Sequence, residues 1–96
     1  MELHRDASDR LTASHPSDED AYPRFVRCVV EQFGLKPAGS KVVGLDAVFQ
    51  DFAVRDVVVS LEWDTWLGCM AVAKSSVAEG LIEEIARFVA SQSVLD

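Results

Sequence analysis

Apolar residues recur at helical spacing in two separate segments of the chain. The first segment carries Tyr22, Phe25, Val26, Val29, Val30 and Phe33, and the second carries Ala78, Leu81, Ile82, Ile85, Phe88 and Val89. Spacings of three and four residues place each set on one face of a helix. The pattern therefore predicts two amphipathic helices, each with one face to bury.

The ends of these helices carry recognisable signals. Pro23 suits the first turn of the first helix, and Gly34 stands where a left-handed C-cap is favoured. Ser76 is followed three residues later by Glu79, which is the spacing of a capping box. The second helix is therefore predicted to begin at Ser76.

The segment between the helices is rich in valine and aromatic residues and has little helical period. We divide it into three strands, over residues 41–50, 53–63 and 67–74. The connections near 50–52 and 64–66 are short, and short links join antiparallel neighbours. The predicted fold class is α+β: a two-layer sandwich of order α-β-β-β-α, with a three-stranded antiparallel meander and two helices packed on one face.

Residues 1–16 have few apolar positions and no sustained period. We therefore expect a disordered N-terminal tail over residues 1–16, followed by a single small α+β domain over residues 17–96. Both histidines, His4 and His15, fall in that tail.

The segment SLEWDTWLGCM, residues 60–70, joins the second and third predicted strands. Alternation along the second strand places Trp63 on the core side. A three-residue turn would leave Trp66 exposed at its tip, whereas a two-residue turn would set Trp66 opposite Trp63 as a cross-strand pair. The two turns also place Cys69 on opposite faces of the sheet, and the residue count does not choose between them.

One face of the predicted sheet lacks a covering helix. We expect the helices to cover the face that holds Val43, Leu45, Ala47, Phe49, Val57, Val59, Leu61 and Trp63. The opposite face would then carry valines among acidic residues, a mixture typical of interfaces. The candidate interface is formed by Val42, Val48, Asp56, Val58, Ser60, Glu62, Trp66 and Met70. A homodimer through this face, or a protein partner, is the predicted use.

Charge limits the class of partner. Sixteen acidic residues stand against nine basic ones, for a net charge of −7. Binding to nucleic acid or to an acidic membrane surface is not expected, because both depend on basic patches. No apolar run reaches the length of a membrane helix and the start of the chain is polar, so we expect a cytoplasmic location.

The sequence also lacks the usual catalytic patterns. The predicted folded part has no histidine to act as a base, the two cysteines have no metal-ligand spacing, and no phosphate loop is present. No catalytic, cofactor-binding or metal-binding residue is therefore predicted. We expect a small non-enzymatic binding or accessory protein that acts through protein–protein contact. The alternative is a small-ligand binder or a carboxylate-dependent enzyme with a site near Trp63, Asp64 and Trp66.

Overall fold

A seven-stranded antiparallel sheet with two helices on one face makes up the fold. The computed structural model describes residues 1–96. The strands are β1 Glu2–Arg5, β2 Leu11–His15, β3 Lys36–Pro37, β4 Val42–Val43, β5 Ala47–Val54, β6 Val57–Asp64 and β7 Gly68–Ala73, and the helices are α1 Tyr22–Phe33 and α2 Glu79–Ser91. The sheet order is β1-β2-β7-β6-β5-β3, and β4 also pairs with β5.

The α+β class is confirmed, but the predicted strand count and element order are not. The meander β5–β6–β7 is present as the centre of a larger sheet. Two short strands, β3 and β4, extend it at one edge, and a hairpin extends it at the other. The predicted order α-β-β-β-α therefore captures only the middle of the fold.

The extra hairpin is formed by the residues that were expected to be a tail. β1 pairs with β2, and β2 pairs with β7, with Ala13 opposite Ala71. Asp6 closes the turn because its Oδ1 accepts hydrogen bonds from the backbone N–H groups of Ser8 and Arg10, both at 2.9 Å. The prediction of a disordered tail over residues 1–16 is corrected: small and polar residues of β2 are buried by their neighbours without an apolar pattern of their own.

Helix α1 follows its prediction closely. Pro23 lies in the first turn, and Gly34 ends the helix in the left-handed conformation with φ 65°. The backbone N–H of Leu35 then donates to the carbonyl of Val30 at 3.1 Å. This closing bond satisfies one of the carbonyls left free at a helix C-terminus.

The start of α2 differs from its prediction. Residues Ser76–Ala78 form a 3₁₀ turn, and no side chain caps either this turn or α2. The carboxylate of Glu79 instead forms an ion pair with Arg5 of β1. The capping-box prediction is therefore wrong, because a tertiary partner engages the glutamate that the motif needs.

The register of β5 also differs from its prediction. The strand continues to Val54, and the β5–β6 turn consists of Arg55 and Asp56, with φ 53° at Arg55. The sequence places this turn near residues 50–52. The observed position changes the pairing of β5 with β6 by an odd number of residues, and a change of that kind exchanges the two faces of β5. Val48 consequently lies 4% exposed under the helices, whereas Phe49 points to the other face.

The core lies between the helices and one face of the sheet, which we call the helix face. Its sheet residues include Val59, Leu61, Trp63, Cys69, Ala71 and Ala73, and its helical residues include Phe25, Val29, Ile82 and Ile85. The predicted core position of Trp63 is confirmed. The hydroxyl of Tyr22 donates to the Leu61 carbonyl at 2.7 Å and connects α1 to β6.

Neither helix is long and apolar enough to cross a membrane.

Candidate interaction surface

Most of the exposed large apolar side chains lie at one end of the sheet. Eight such side chains are exposed, and six of them surround the β4–β5 and β6–β7 turns. We call these six the turn-end patch: Val42, Val43, Leu45, Phe49, Trp66 and Leu67. The backbone N–H of Thr65 donates to the Asp46 carbonyl at 3.2 Å, which joins the two turns directly. The patch is therefore one surface built from two loops.

Trp66 is the most conspicuous member of the patch. It lies 89% exposed in the three-residue connection between β6 and β7. The backbone N–H groups of Trp66 and Leu67 both donate to Oδ1 of Asp64, at 2.9 and 2.7 Å. An indole is therefore presented to solvent on a hydrogen-bonded turn. Of the two turns left open by the sequence, the structure has the three-residue one.

Gly68 fixes the direction of the chain after this turn. It adopts φ 81°, a conformation that favours glycine, and a Cβ there would collide with the backbone of His15, Pro16 and Ser17. The same register places Cys69 opposite Trp63 on the helix face. The close approach of the β2 end to Gly68 thus holds the base of the Trp66 turn.

Ser17 connects the same elements by hydrogen bonds. Its hydroxyl donates to the His15 carbonyl and accepts from the backbone N–H of Cys69, both at 2.9 Å. Its carbonyl accepts a hydrogen bond from Nε1 of Trp63, also at 2.9 Å. These bonds hold the segment after β2 against the β6–β7 hairpin.

A cleft of about 770 Å³ lies beside Trp66, between that turn, the residues before α1 and the end of the chain. Asp18, Asp20 and Asp96 line the cleft, and Arg24 is its only basic residue. Asp18, Asp20 and Arg24 form no ion pair within the chain, and Asp96 lies 4.0 Å from Nε2 of His15. The cleft therefore combines an exposed aromatic ring with an excess of negative charge.

The predicted interface residues do not form one exposed surface. Val42 and Trp66 belong to the turn-end patch, while Asp56 is exposed in the β5–β6 turn at the opposite end of the sheet. Val48 is corrected to the core by the register of β5. Val58, Ser60, Glu62 and Met70 do lie on the face without helices, which we call the open face.

The centre of the open face is less accessible than the alternation suggested. Ser60 and Met70 are buried, and Val58 and Glu62 are only partly exposed. Nζ of Lys74 reaches to 3.8 Å from Oδ1 of Asp51, which is the cross-strand neighbour of Ser60. The exposed large apolar side chains therefore lie mainly at the end of the sheet and not at the centre of the open face.

The histidines require a correction to the chemical argument. His4 lies on β1 and His15 on β2, so the folded part does contain histidine. Nε2 of His4 is 3.1 Å from Oγ of Ser14, but no acidic side chain hydrogen-bonds to this imidazole. The pair therefore lacks the orienting third group of a nucleophile–base–acid triad.

Cys69 lies opposite His15 across the β2–β7 pair. Burial raises the pKa of the Cys69 thiol, and a hydrogen bond with Ser17 offsets this only in part. The thiolate is the nucleophilic form of cysteine, so the raised pKa keeps the group in its unreactive form at neutral pH. The buried thiol therefore acts as an apolar core group.

The structure also shows where the three residues of the alternative site, near the second hairpin turn, lie. Trp63 is in the core with its indole N–H donating to the Ser17 carbonyl, and Oδ1 of Asp64 accepts from two backbone N–H groups. Only Trp66 of the three expected residues faces the cleft.

Comparisons with protein-family models, with curated proteins and with solved structures found no match to this chain.

Proposed function

We propose that this chain is a non-enzymatic binding protein that acts through protein–protein contact at the turn-end patch. The observation that carries the proposal is the position of Trp66, an 89% exposed indole on a hydrogen-bonded turn. Burying a large side chain of this kind contributes about 2–3 kcal/mol, which an exposed position forgoes. A protein partner that covers Trp66 would recover that contribution.

The arrangement of Trp66 matches the usual anatomy of a binding hot spot. Such residues are often tryptophan, and they are ringed by side chains that exclude water when the partner is bound. Leu45 and Leu67 lie in the same pair of turns as Trp66, and both are exposed. Because the turn is already ordered, little conformational entropy is lost when a partner binds.

The cleft beside Trp66 supports a basic partner. Three aspartates and one arginine line it, and the whole chain carries a net charge of −7. A lysine or arginine side chain in the cleft would meet Asp18 and Asp20 and could stack on the face of Trp66. We therefore propose that the bound segment carries basic residues beside apolar ones.

Selection of random peptides displayed on phage tests this function. The wild-type chain is immobilised, and the affinities of the selected peptides are measured by fluorescence anisotropy. We expect binders enriched in lysine, arginine and apolar residues, with affinities that fall as salt is added. Trp66→Ala should weaken their binding by about 30-fold, the loss of about 2 kcal/mol typical of a hot spot.

Val77 offers a matched control because it is 68% exposed and apolar, but lies beyond the opposite end of β7. Val77→Ala should change the same affinities by less than about twofold. Selection that yields no binders, or binders that tolerate Trp66→Ala as well as Val77→Ala, would refute the proposed function.

A small cationic ligand is a second candidate for the same cleft. Its volume of about 770 Å³ lies within the range of ligand pockets. Arginine amide is a suitable probe, because it offers a guanidinium without the rest of a peptide. Binding of arginine amide as tight as that of the best selected peptide would favour the small-ligand function over the protein-binding function.

A further inference from the structure

Strand β1 is a free edge of the sheet. It pairs with β2 on one side and with no strand on the other. The backbone N–H of Asp6 donates to the Arg10 carbonyl, and antiparallel pairs alternate between bonded and non-bonded residues. His4 therefore bonds inward to β2, whereas the N–H and C=O groups of Leu3 and Arg5 point outward to solvent.

A groove of about 310 Å³ runs along this edge, between β1 and α2. Its apolar lining consists of Met1, Leu3, Ala86 and Ala90. Leu3 is 45% exposed. Glu83 and Arg87 also line the groove from α2, and neither forms an ion pair within the chain. The groove thus carries one unpaired charge of each sign.

We propose that two copies of this chain associate through this edge, by antiparallel pairing of their β1 strands about a two-fold axis at Leu3. The two sheets would then form one continuous sheet. Strand β1 contains neither proline nor lysine, two residues by which edge strands commonly prevent such pairing. The proposal is independent of the turn-end patch, because that patch is formed by the β4–β5 and β6–β7 turns and contains no residue of β1 or α2.

Charge selects the register of this pairing. A two-fold axis perpendicular to the sheet keeps every side chain on its own face, so the axis must pass through a residue of β1. An axis at Glu2 or at Arg5 sets that charge opposite itself, and an axis at His4 sets Glu2 opposite Asp6 of the partner subunit. Of these four axes, only the one at Leu3 sets no charged side chain opposite a side chain of like charge, and it sets Glu2 opposite His4 of the partner subunit.

The same axis makes the groove self-complementary. Helix α2 runs antiparallel to β1, since Glu79 near its start contacts Arg5 while Leu3 lines the groove with later residues. A rotation about Leu3 therefore brings Glu83 opposite Arg87 of the partner subunit, and the converse pair forms by symmetry. The Leu3 side chain of the partner subunit would lie over the small side chains of Ala86 and Ala90.

Light scattering over a wide range of concentration tests the association. We expect the wild-type chain to reach twice its 10.5 kDa mass and to return to 10.5 kDa on dilution. Leu3→Pro removes only an N–H that points outward, a position where edge strands tolerate proline. This variant should keep its far-ultraviolet circular dichroism and remain a monomer at every concentration.

Charge reversals test the register without disturbing the strand. Glu83→Arg and Arg87→Glu should each raise the dimer dissociation constant by about tenfold, because each makes two symmetry-related pairs repulsive. The double variant restores opposite charges and should return to within about threefold of wild type. Glu31→Arg is the matched control, because Glu31 is exposed on α1 and does not line the groove.

A wild-type chain that stays monomeric at every concentration overturns the proposal. A dimer with the same dissociation constant in wild type, Leu3→Pro and the single charge reversals also overturns it, because that dimer must use another surface. Peptide binding at the turn-end patch is measured separately, so either result leaves the proposed function to be judged by its own experiment.

Discussion

Oδ1 of Asp64 accepts a hydrogen bond from the backbone N–H of Trp66 at 2.9 Å, and this bond orders the turn that presents the indole. A second bond from Leu67 reaches the same oxygen at 2.7 Å. Short side chains that accept hydrogen bonds from the residues two and three positions later stabilise such turns. The acid that the sequence suggested for catalysis therefore has a structural role.

We predict that Asp64→Ala frees these two backbone groups. The free energy of unfolding should fall by only about 1 kcal/mol, because both N–H groups can bond to water instead. Amide hydrogen exchange at Trp66 and Leu67 should accelerate well beyond that of the neighbouring strand residues. Asp64→Asn keeps an oxygen acceptor and serves as the control. Unchanged exchange in Asp64→Ala would show that the turn is ordered by other contacts.

Substitutions of two glycines should have opposite effects. At Gly68 a side chain meets backbone atoms of His15 and Ser17 and must adopt φ 81°, so Gly68→Ala should destabilise the chain by about 3 kcal/mol or more. At Gly80, which lies in α2, the added carbon meets no atom within 4 Å beyond its chain neighbours and the adjacent backbone of its own helix. Gly80→Ala should therefore stabilise the chain, by up to about 1 kcal/mol.

Denaturant titration of both glycine variants measures these effects on one scale. If Gly68→Ala proves as stable as Gly80→Ala, the end of β2 cannot pack against the β6–β7 turn as described. Loss of the folded state in Gly68→Ala alone agrees with the prediction, because the colliding atoms belong to the backbone and cannot move aside as a flexible side chain could.

The N-terminal hairpin can be tested with one pair of substitutions. Ala13 is fully buried on β2 beneath α2, whereas Ala7 is exposed in the β1–β2 turn. Ala13→Asp should destabilise the chain by about 3 kcal/mol or more, because it buries an unpaired charge. Ala7→Asp should change stability by less than about 0.5 kcal/mol. Equal, small effects measured by denaturation would favour the mobile tail instead.

This hairpin also marks the limit of what the sequence could predict. The two helices were recognisable because each carries a complete apolar stripe, with Pro23 and Gly34 marking the ends of the first. Strand β2 has the sequence LTASH, in which only one large apolar residue appears. Its burial comes from β7 beside it and α2 above it. Contacts of this kind are made by distant parts of the chain and leave no local pattern.

The conformations of the turns explain the remaining differences between the predicted and the observed structure. Arg55 adopts a left-handed conformation with φ 53°, although glycine or asparagine usually occupies such positions. The sequence therefore gives no signal for a turn here, and the predicted β5–β6 turn lies too early in the chain. Trp66 is a predicted interface residue, but its exposure depends on a turn length that residue counting leaves open. The cleft beside it needs Asp18, Asp20 and Asp96 from separate segments, and only the tertiary fold brings these together.

The last prediction concerns alkaline pH and Tyr22, the only tyrosine in the chain. Burial raises the pKa of its hydroxyl above the ordinary value, with smaller contributions from Cys69 and Glu62. The folded state therefore holds this proton more tightly than the unfolded state, so the stabilisation is fully present below about pH 10 and is lost as pH rises above it. Tyr22→Phe should lower stability by about 1 kcal/mol at neutral pH, because it removes the hydrogen bond to Leu61. Denaturant titrations from neutral to alkaline pH should show that the free energy of unfolding falls more steeply at alkaline pH in wild type than in Tyr22→Phe. Parallel curves for the two chains would contradict the buried hydroxyl. Phenolate absorbance that rises near pH 10 before the chain unfolds would contradict it as well.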